Sequence, residues 1–157
     1  MKVGDLMTLK VIKASPDEHV KEAAKRMAEA GISGVPVVDA HGKIVGILCE
    51  SDIVSAVRKR SKVVKMVYPS LSMVSVSFVE EDVQKEISSA MRDVAKMKVK
   101  EVMHQKVLTV KPDDDLSVAV KLMNGNEVNR LPVVGEDGLV GILSRGDVVK
   151  GISKGLD

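Results

Sequence analysis

The feature that most constrains this chain is that its two ends are copies of each other. A shift of about 96 positions lays Val3-Gly4-Asp5-Leu6-Met7 on Val99-Lys100-Glu101-Val102-Met103, and Pro16-Asp17 on Pro112-Asp113. Ala23, Lys25 and Met27 fall on Ala119, Lys121 and Met123, and Pro36-Val37-Val38 falls on Pro132-Val133-Val134. One deletion near Lys43 then brings Gly46-Ile47-Leu48 onto Gly141-Ile142-Leu143 and Asp52 onto Asp147. Roughly twenty identities with a single gap exceed chance. The sequence therefore divides into a first repeat, 1–60, an insert, 61–98, and a second repeat, 99–157.

Each copy reads as strand, helix, strand, strand, helix, an α/β (α+β) unit. Val11-Ile12 predicts a short strand, and Ser15-Pro16-Asp17 signals a helix start. Val20, Ala23, Ala24 and Met27 follow the i, i+3, i+4, i+7 rule of one buried helical face, and Gly31 sits where a C-cap glycine ends it. Val35 to Val38 and Ile44 to Leu48 are β-rich runs around the turn Asp39-Ala40-His41-Gly42. Ser51-Asp52 opens the last helix. The second copy repeats the pattern with Leu116, Ala119, Val120 and Met123, then Leu131 to Val134 and Leu139 to Leu143, then Gly146-Asp147. In the insert, Val74, Val76 and Phe78 alternate with Ser75 and Ser77 and predict a half-buried strand. Val83, Ile87, Met91 and Val94 predict a helix from about Glu81 to Lys96 that packs the repeats together.

Composition narrows the function classes. At 157 residues and 45% apolar content the chain can bury a real core and is too apolar for disorder. No apolar run approaches the roughly 18–20 residues of a membrane span, and no signal-peptide pattern opens the sequence. The expectation is a cytoplasmic protein with no membrane partner. Twenty-four basic against 22 acidic residues leave +2, and the chain has no Trp, one Tyr and one Phe. Neither an electrostatic footprint nor stacking platforms for nucleic acid are present. The lone Cys49 can form neither an intramolecular disulfide nor a multi-thiolate metal site. No Ser/His/Asp order, glycine-rich phosphate loop or metal-spaced cluster appears, so no enzyme, metal or cofactor is expected.

The ordered set of motifs, occurring twice, resembles a tandem pair of cystathionine-β-synthase (CBS) domains, a Bateman module. Its residues are Asp5-Leu6-Met7, the segment Gly31 to Val38 and Gly46-Ile-Leu-Cys-Glu-Ser-Asp52. In the second copy they are Glu101-Val102-Met103, the segment Val128 to Val134 and Gly141-Ile-Leu-Ser-Arg-Gly-Asp147. The resemblance implies two repeats packed about a pseudo-two-fold axis, with two clefts between them for adenosine-containing ligands: AMP, ADP, ATP or S-adenosylmethionine.

The chemistry of the clefts is partly readable without the family. A strand ending in a hydroxyl and running into a helix sets that hydroxyl beside free N–H groups, a favourable place for a phosphate. An aspartate three residues on offers two acceptor oxygens to the two hydroxyls of a ribose. The competing reading is that Asp52 and Asp147 merely cap helices. Carried over from the resemblance, cleft A combines Asn129, Arg130, Ile142, Ser144 and Asp147 with Thr8, Ile12, Ile32 and Ser33. Cleft B combines Ile47, Cys49, Ser51 and Asp52 with His104, Leu108, Val128 and Asn129. Cys49 stands where cleft A has a hydroxyl, and Gly34 stands where the second repeat has Arg130, so phosphate binding is expected to favour cleft A.

The sequence thus leads to a non-enzymatic module that senses an adenosine ligand and signals to a separate effector protein. An S-adenosylmethionine module and a structural dimerisation protein with vestigial clefts are the alternatives. The last helices carry Ile53, Val54, Val57, Val148, Val149 and Ile152, which favour a homodimer.

Overall fold

The computed structural model describes residues 1–61 and 76–153. The first repeat contains α1 (Val3–Leu6), α2 (Val20–Ala30), β1 (Gly34–Val38), β2 (Ile44–Cys49) and α3 (Glu50–Arg60). After α4 (Val76–Lys96), the second contains α5 (Val99–Val102), α6 (Leu116–Gly125), β3 (Arg130–Gly135), β4 (Gly138–Ser144) and α7 (Arg145–Ser153). Each repeat forms a two-stranded antiparallel sheet, with Pro36 opposite Ile47 in one and Pro132 opposite Ile142 in the other. The register shifts at equivalent points, between Val37 and Val38 and between Val133 and Val134. The duplication therefore extends to the irregularities.

Helices and strands form where periodicity places apolar side chains on one face. Val20, Ala23 and Met27 of α2 are buried against Val35, Val37 and Leu48. Ala119 and Met123 of α6 are buried against Leu131, Val133 and Leu143. Gly31 ends α2 in the left-handed region at φ 62°, which glycine adopts without a Cβ penalty.

Several elements depart from the sequence expectations. The first strand of each repeat shrinks to one bridging residue. Ala14 donates to the Pro36 carbonyl at 3.0 Å and accepts from Val38 N at 2.9 Å, and Val110 does the same with Pro132 and Val134. Helix α2 starts at Val20, because Ser15 to Glu18 form a turn closed by Ser15 N donating to Glu18 Oε1 at 3.0 Å. The strand expected around Val76 and Phe78 is helical from Val76 onward. A five-residue alternation is too short to decide between strand and helix when the helical face continues beyond it. Val74 and Ser75 lie outside the described residues. On α4 the buried positions are Ala90 and Val94, while Ile87 and Met91 are exposed, and the helix packs chiefly on α3 and α2 of the first repeat.

The two repeats also exchange short arms. Val3 of α1 is buried in the second repeat's core, and Val99 of α5 in the first's. Val3 N and Gly4 N donate to the Asp114 and Pro112 carbonyls at 2.9 Å each, and Val99 N and Lys100 N donate to Glu18 and Pro16. Each arm then pairs with the other repeat's last strand: Thr8 with Ile142 at 2.8 and 3.0 Å, and His104 with Ile47 at 3.0 and 3.1 Å. Gly46 and Gly141 make this approach feasible. A Cβ on Gly46 would lie 2.5 Å from Met103 Sδ and 2.9 Å from the His104 carbonyl, and one on Gly141 would lie 2.7 Å from Met7 Sδ.

Candidate functional site: two clefts between the repeats

The crossing arms leave two clefts related by the repeat. Cleft A, about 260 Å³, is lined by Thr8, Ile12 and Ile32 from one side and Ile142, Ser144 and Asp147 from the other. Asp147 sits in the first turn of α7 and is 9% exposed. Its carboxylate accepts from Ser144 N at 2.8 Å, Ser144 Oγ at 2.7 Å and, more loosely, Thr8 Oγ1 at 3.4 Å. The carboxylate thus spans both repeats through two hydroxyls, between aliphatic walls.

Cleft B, about 220 Å³, is lined by Ile47, Cys49, Ser51, His104, Leu108, Val128 and Asn129. Asp52 is not among those lining residues but touches two that are. Its Oδ2 accepts from Cys49 N at 2.7 Å as a helix cap, and its Oδ1 lies 2.8 Å from His104 Nδ1. Burial pushes the Cys49 thiol pKa up, against an opposing pull from the Arg130 guanidinium.

Ser33 and Asn129 require a correction, since both line cleft B rather than cleft A. Ile32 and Ser33 are consecutive residues entering β1, and consecutive extended residues point to opposite sides. Ile32 therefore takes cleft A and Ser33 cleft B.

Arg130 belongs to both clefts. It is 8% exposed, its Nη1 donates to the Gly34 carbonyl at 2.6 Å and its Nη2 donates to Ser33 Oγ. Its Nε is buried without a partner. Burial also draws the guanidinium pKa below its ordinary value. Gly34, its repeat equivalent, supplies the space, because a Cβ there would sit 2.7 Å from Nη1. One arginine fills the junction that two side chains could not share. Both clefts fall below the roughly 300 Å³ where small-molecule pockets begin, so a nucleotide-sized ligand has to displace side chains at this junction.

Lys10 at cleft A and Lys106 at cleft B are repeat equivalents that the sequence reading passed over, as it did Lys150 beside cleft A and Glu127 beside cleft B. The shared register of Lys10 and Lys106 was the available signal. His104 lines cleft B as expected, and the fold sets its ring directly against Asp52. No helix among the described residues is long and apolar enough to cross a membrane.

The fold and the clefts define a paired-repeat α/β protein with two crevices at the junction of its halves. The family model for the CBS domain matches residues 3–59 and 99–154, and the chain belongs to that family. It is 33% identical to an uncharacterized protein of Methanocaldococcus jannaschii over 95% of this chain and 93% of that one. Among solved structures it resembles CBSX2 from Arabidopsis thaliana, with TM-score 0.73 and 25% identity over 98% of this chain and 94% of that one. A structure of CBSX2 in complex with AMP matches with TM-score 0.69 and 26% identity, covering 98% of this chain and 97% of that one. The chain spans 40% of a second Methanocaldococcus jannaschii relative and 23% of that organism's inosine-5′-monophosphate dehydrogenase, so related pairs also occur inside longer proteins.

Proposed function

We propose that this chain is a non-enzymatic sensing module that binds a phosphorylated adenosine compound (AMP, ADP or ATP) in cleft A and transmits its occupancy to a separate partner. The observation that carries this reading is Asp147: a carboxylate lining a cleft between Ile12, Ile32 and Ile142, where its two oxygens suit a ribose diol. Lys10, Lys150 and Arg130 border the same cleft, and the orphaned Nε of Arg130 is a buried donor awaiting an acceptor. Three cations favour a phosphate over the sulfonium of S-adenosylmethionine. The AMP complex of CBSX2 supports the same ligand class.

Signalling follows from the reciprocal arms. A ligand touching Thr8 and Asp147 favours one packing of the two repeats, and a partner that reads this packing senses the ligand. Homodimerisation is the second part of the reading. Val54 on α3 and Val149 and Ile152 on α7 are 67%, 64% and 73% exposed, whereas Ile53 and Val57 turn inward to the core. The experiment is calorimetry with AMP, ADP, ATP and S-adenosylmethionine on wild type and Asp147→Ala. A phosphorylated ligand is expected to bind best and to bind more weakly in the variant; S-adenosylmethionine binding tightest would overturn the assignment.

A further inference from the structure

The two clefts contain an internal control for a second site. Cys49, Asp52 and His104 of cleft B are the repeat equivalents of Ser144, Asp147 and Thr8 of cleft A. The carboxylate is common to both. The two hydroxyls of cleft A are replaced in cleft B by a thiol and an imidazole, side chains that ligate transition metals where a hydroxyl rarely does. A single exchange would carry little weight, but here both neighbours of the same carboxylate change together.

We propose that cleft B is a divalent transition-metal site of the zinc class, with Cys49 Sγ, an Asp52 oxygen and a His104 ring nitrogen as ligands. The three donor atoms lie within 4.8 Å of one another. Ligand atoms around a tetrahedral zinc sit about 3.5 Å apart, given metal–sulfur and metal–nitrogen bonds of roughly 2.3 and 2.0 Å. Side-chain rotation has to bring the donors to that spacing, and the exposed His104 ring has room to turn. The supporting structure is already in place: Cys49 ends β2, Asp52 lies in the first turn of α3, and the His104 backbone is clamped to Ile47 by two hydrogen bonds. His104 Nδ1 and Asp52 Oδ1 are already neighbours at 2.8 Å, in a hydrogen bond that metal binding would exchange for coordination. On binding, the Cys49 thiol gives its proton to solvent and the thiolate, carboxylate and neutral imidazole each donate a lone pair. No redox change is involved. A fourth position opens toward the cleft, where water or an anionic ligand completes the tetrahedron. The thiolate selects zinc, cobalt or a similar borderline ion over magnesium and calcium. Such an ion would bolt the second repeat's arm to the first repeat, independently of what cleft A binds.

Cobalt(II) titration of the full chain under reducing conditions tests the site. Tetrahedral cobalt absorption with a sulfur-to-cobalt charge-transfer band is expected. Zinc should bleach it and magnesium should not. Cys49→Ser should abolish the charge-transfer band. His104→Gln and Asp52→Asn should weaken cobalt binding at least tenfold, while His41→Gln, in an exposed turn, leaves the spectrum unchanged. Circular dichroism and melting of each apo variant establish that it is folded; because His104 is exposed, His104→Gln gives the readout even if Cys49→Ser does not fold. Absence of the charge-transfer band at saturating cobalt would overturn the proposal. A band that survives in His104→Gln and Asp52→Asn at unchanged affinity would do the same, as would visible absorption without sulfur character.

Discussion

Clefts A and B share a backbone to the level of individual hydrogen bonds, yet they diverge at the side chains that would touch a ligand. Beside each, a glycine admits the other repeat's arm, and an aspartate stands three residues beyond a strand end. Both aspartates cap the backbone N–H of the strand's last residue; in cleft A the carboxylate also meets two hydroxyls and lines the cavity, whereas in cleft B its second oxygen is held by a histidine. Arg130 against Gly34 breaks the symmetry at the centre. The comparison separates what duplication preserves, the scaffold, from what it frees to change, the chemistry.

The largest expected effect tests whether the scaffold really is twofold. Leu48 and Leu143 are repeat equivalents and both are fully buried. Replacement of either by Ala should cost about 2–5 kcal/mol, with the pair agreeing within the spread of such sites. Urea unfolding checks this. A loss confined to one of the two would show that the halves are not energetically equivalent.

Next in size are the ligand effects, which test the divergence. Asp147→Ala removes the proposed ribose acceptor and should weaken AMP tenfold to a hundredfold, or about 1.5–3 kcal/mol. Asp52→Ala should weaken it less. Arg130→Ala should lower affinity for AMP but not for adenosine, since the guanidinium would meet the phosphate. Calorimetry on the three variants decides the assignment, and a larger loss from Asp52→Ala would reverse the clefts.

The legible part of the molecule was whatever local periodicity encodes. The faces of α2 and α6 follow from spacing, as with Val20, Ala23 and Met27, and the four strands from continuous β-rich runs bounded by turn residues, as with Val35 to Val38. Nothing local announces the arms. Val3 and Val99 look like ordinary valines in four-residue helices, and only tertiary packing sends each into the other repeat's core. The site divides along the same line. Asp147 with Ser144 was readable because strand end and helix start are contiguous. Cys49, Asp52 and His104 were grouped in one cleft only through the family resemblance; the direct contact of His104 with Asp52 was not legible, since 52 residues separate them and the arm exchange closes that distance. Arg130 lining both clefts was hidden for a related reason: the available space is defined by what Gly34 lacks on the opposite repeat.

A smaller effect is expected at the glycines beneath the arms. Gly46→Ala brings a Cβ within 2.9 Å of the His104 carbonyl, which cannot move without breaking the pairing to Ile47. Gly141→Ala meets chiefly the flexible end of Met7, with the Thr8 carbonyl further off at 3.2 Å. The first substitution should cost about 1–3 kcal/mol and the second less. Thermal melts of the two variants measure the gap. Equal losses would mean that backbone and side-chain obstacles count alike at this crossing.

The smallest effect has the opposite sign. Gly31 and Glu127 are repeat equivalents, and both adopt the left-handed conformation, at φ 62° and 54°. Glycine accepts that conformation freely. An L-residue with a Cβ pays roughly 1–2 kcal/mol there. Glu127→Gly should relieve that strain but gives back part of the gain, because glycine also frees the unfolded chain by about 0.5–1 kcal/mol. The expected net change is therefore a stabilisation of about 0.5–1 kcal/mol, read as a higher urea midpoint at unchanged slope. Glu127 is exposed at the mouth of cleft B, so no buried contact is lost with it. A destabilised variant would show that the Glu127 side chain makes an interaction worth more than its backbone strain. That result would mark it as a working part of cleft B, with no counterpart at Gly31.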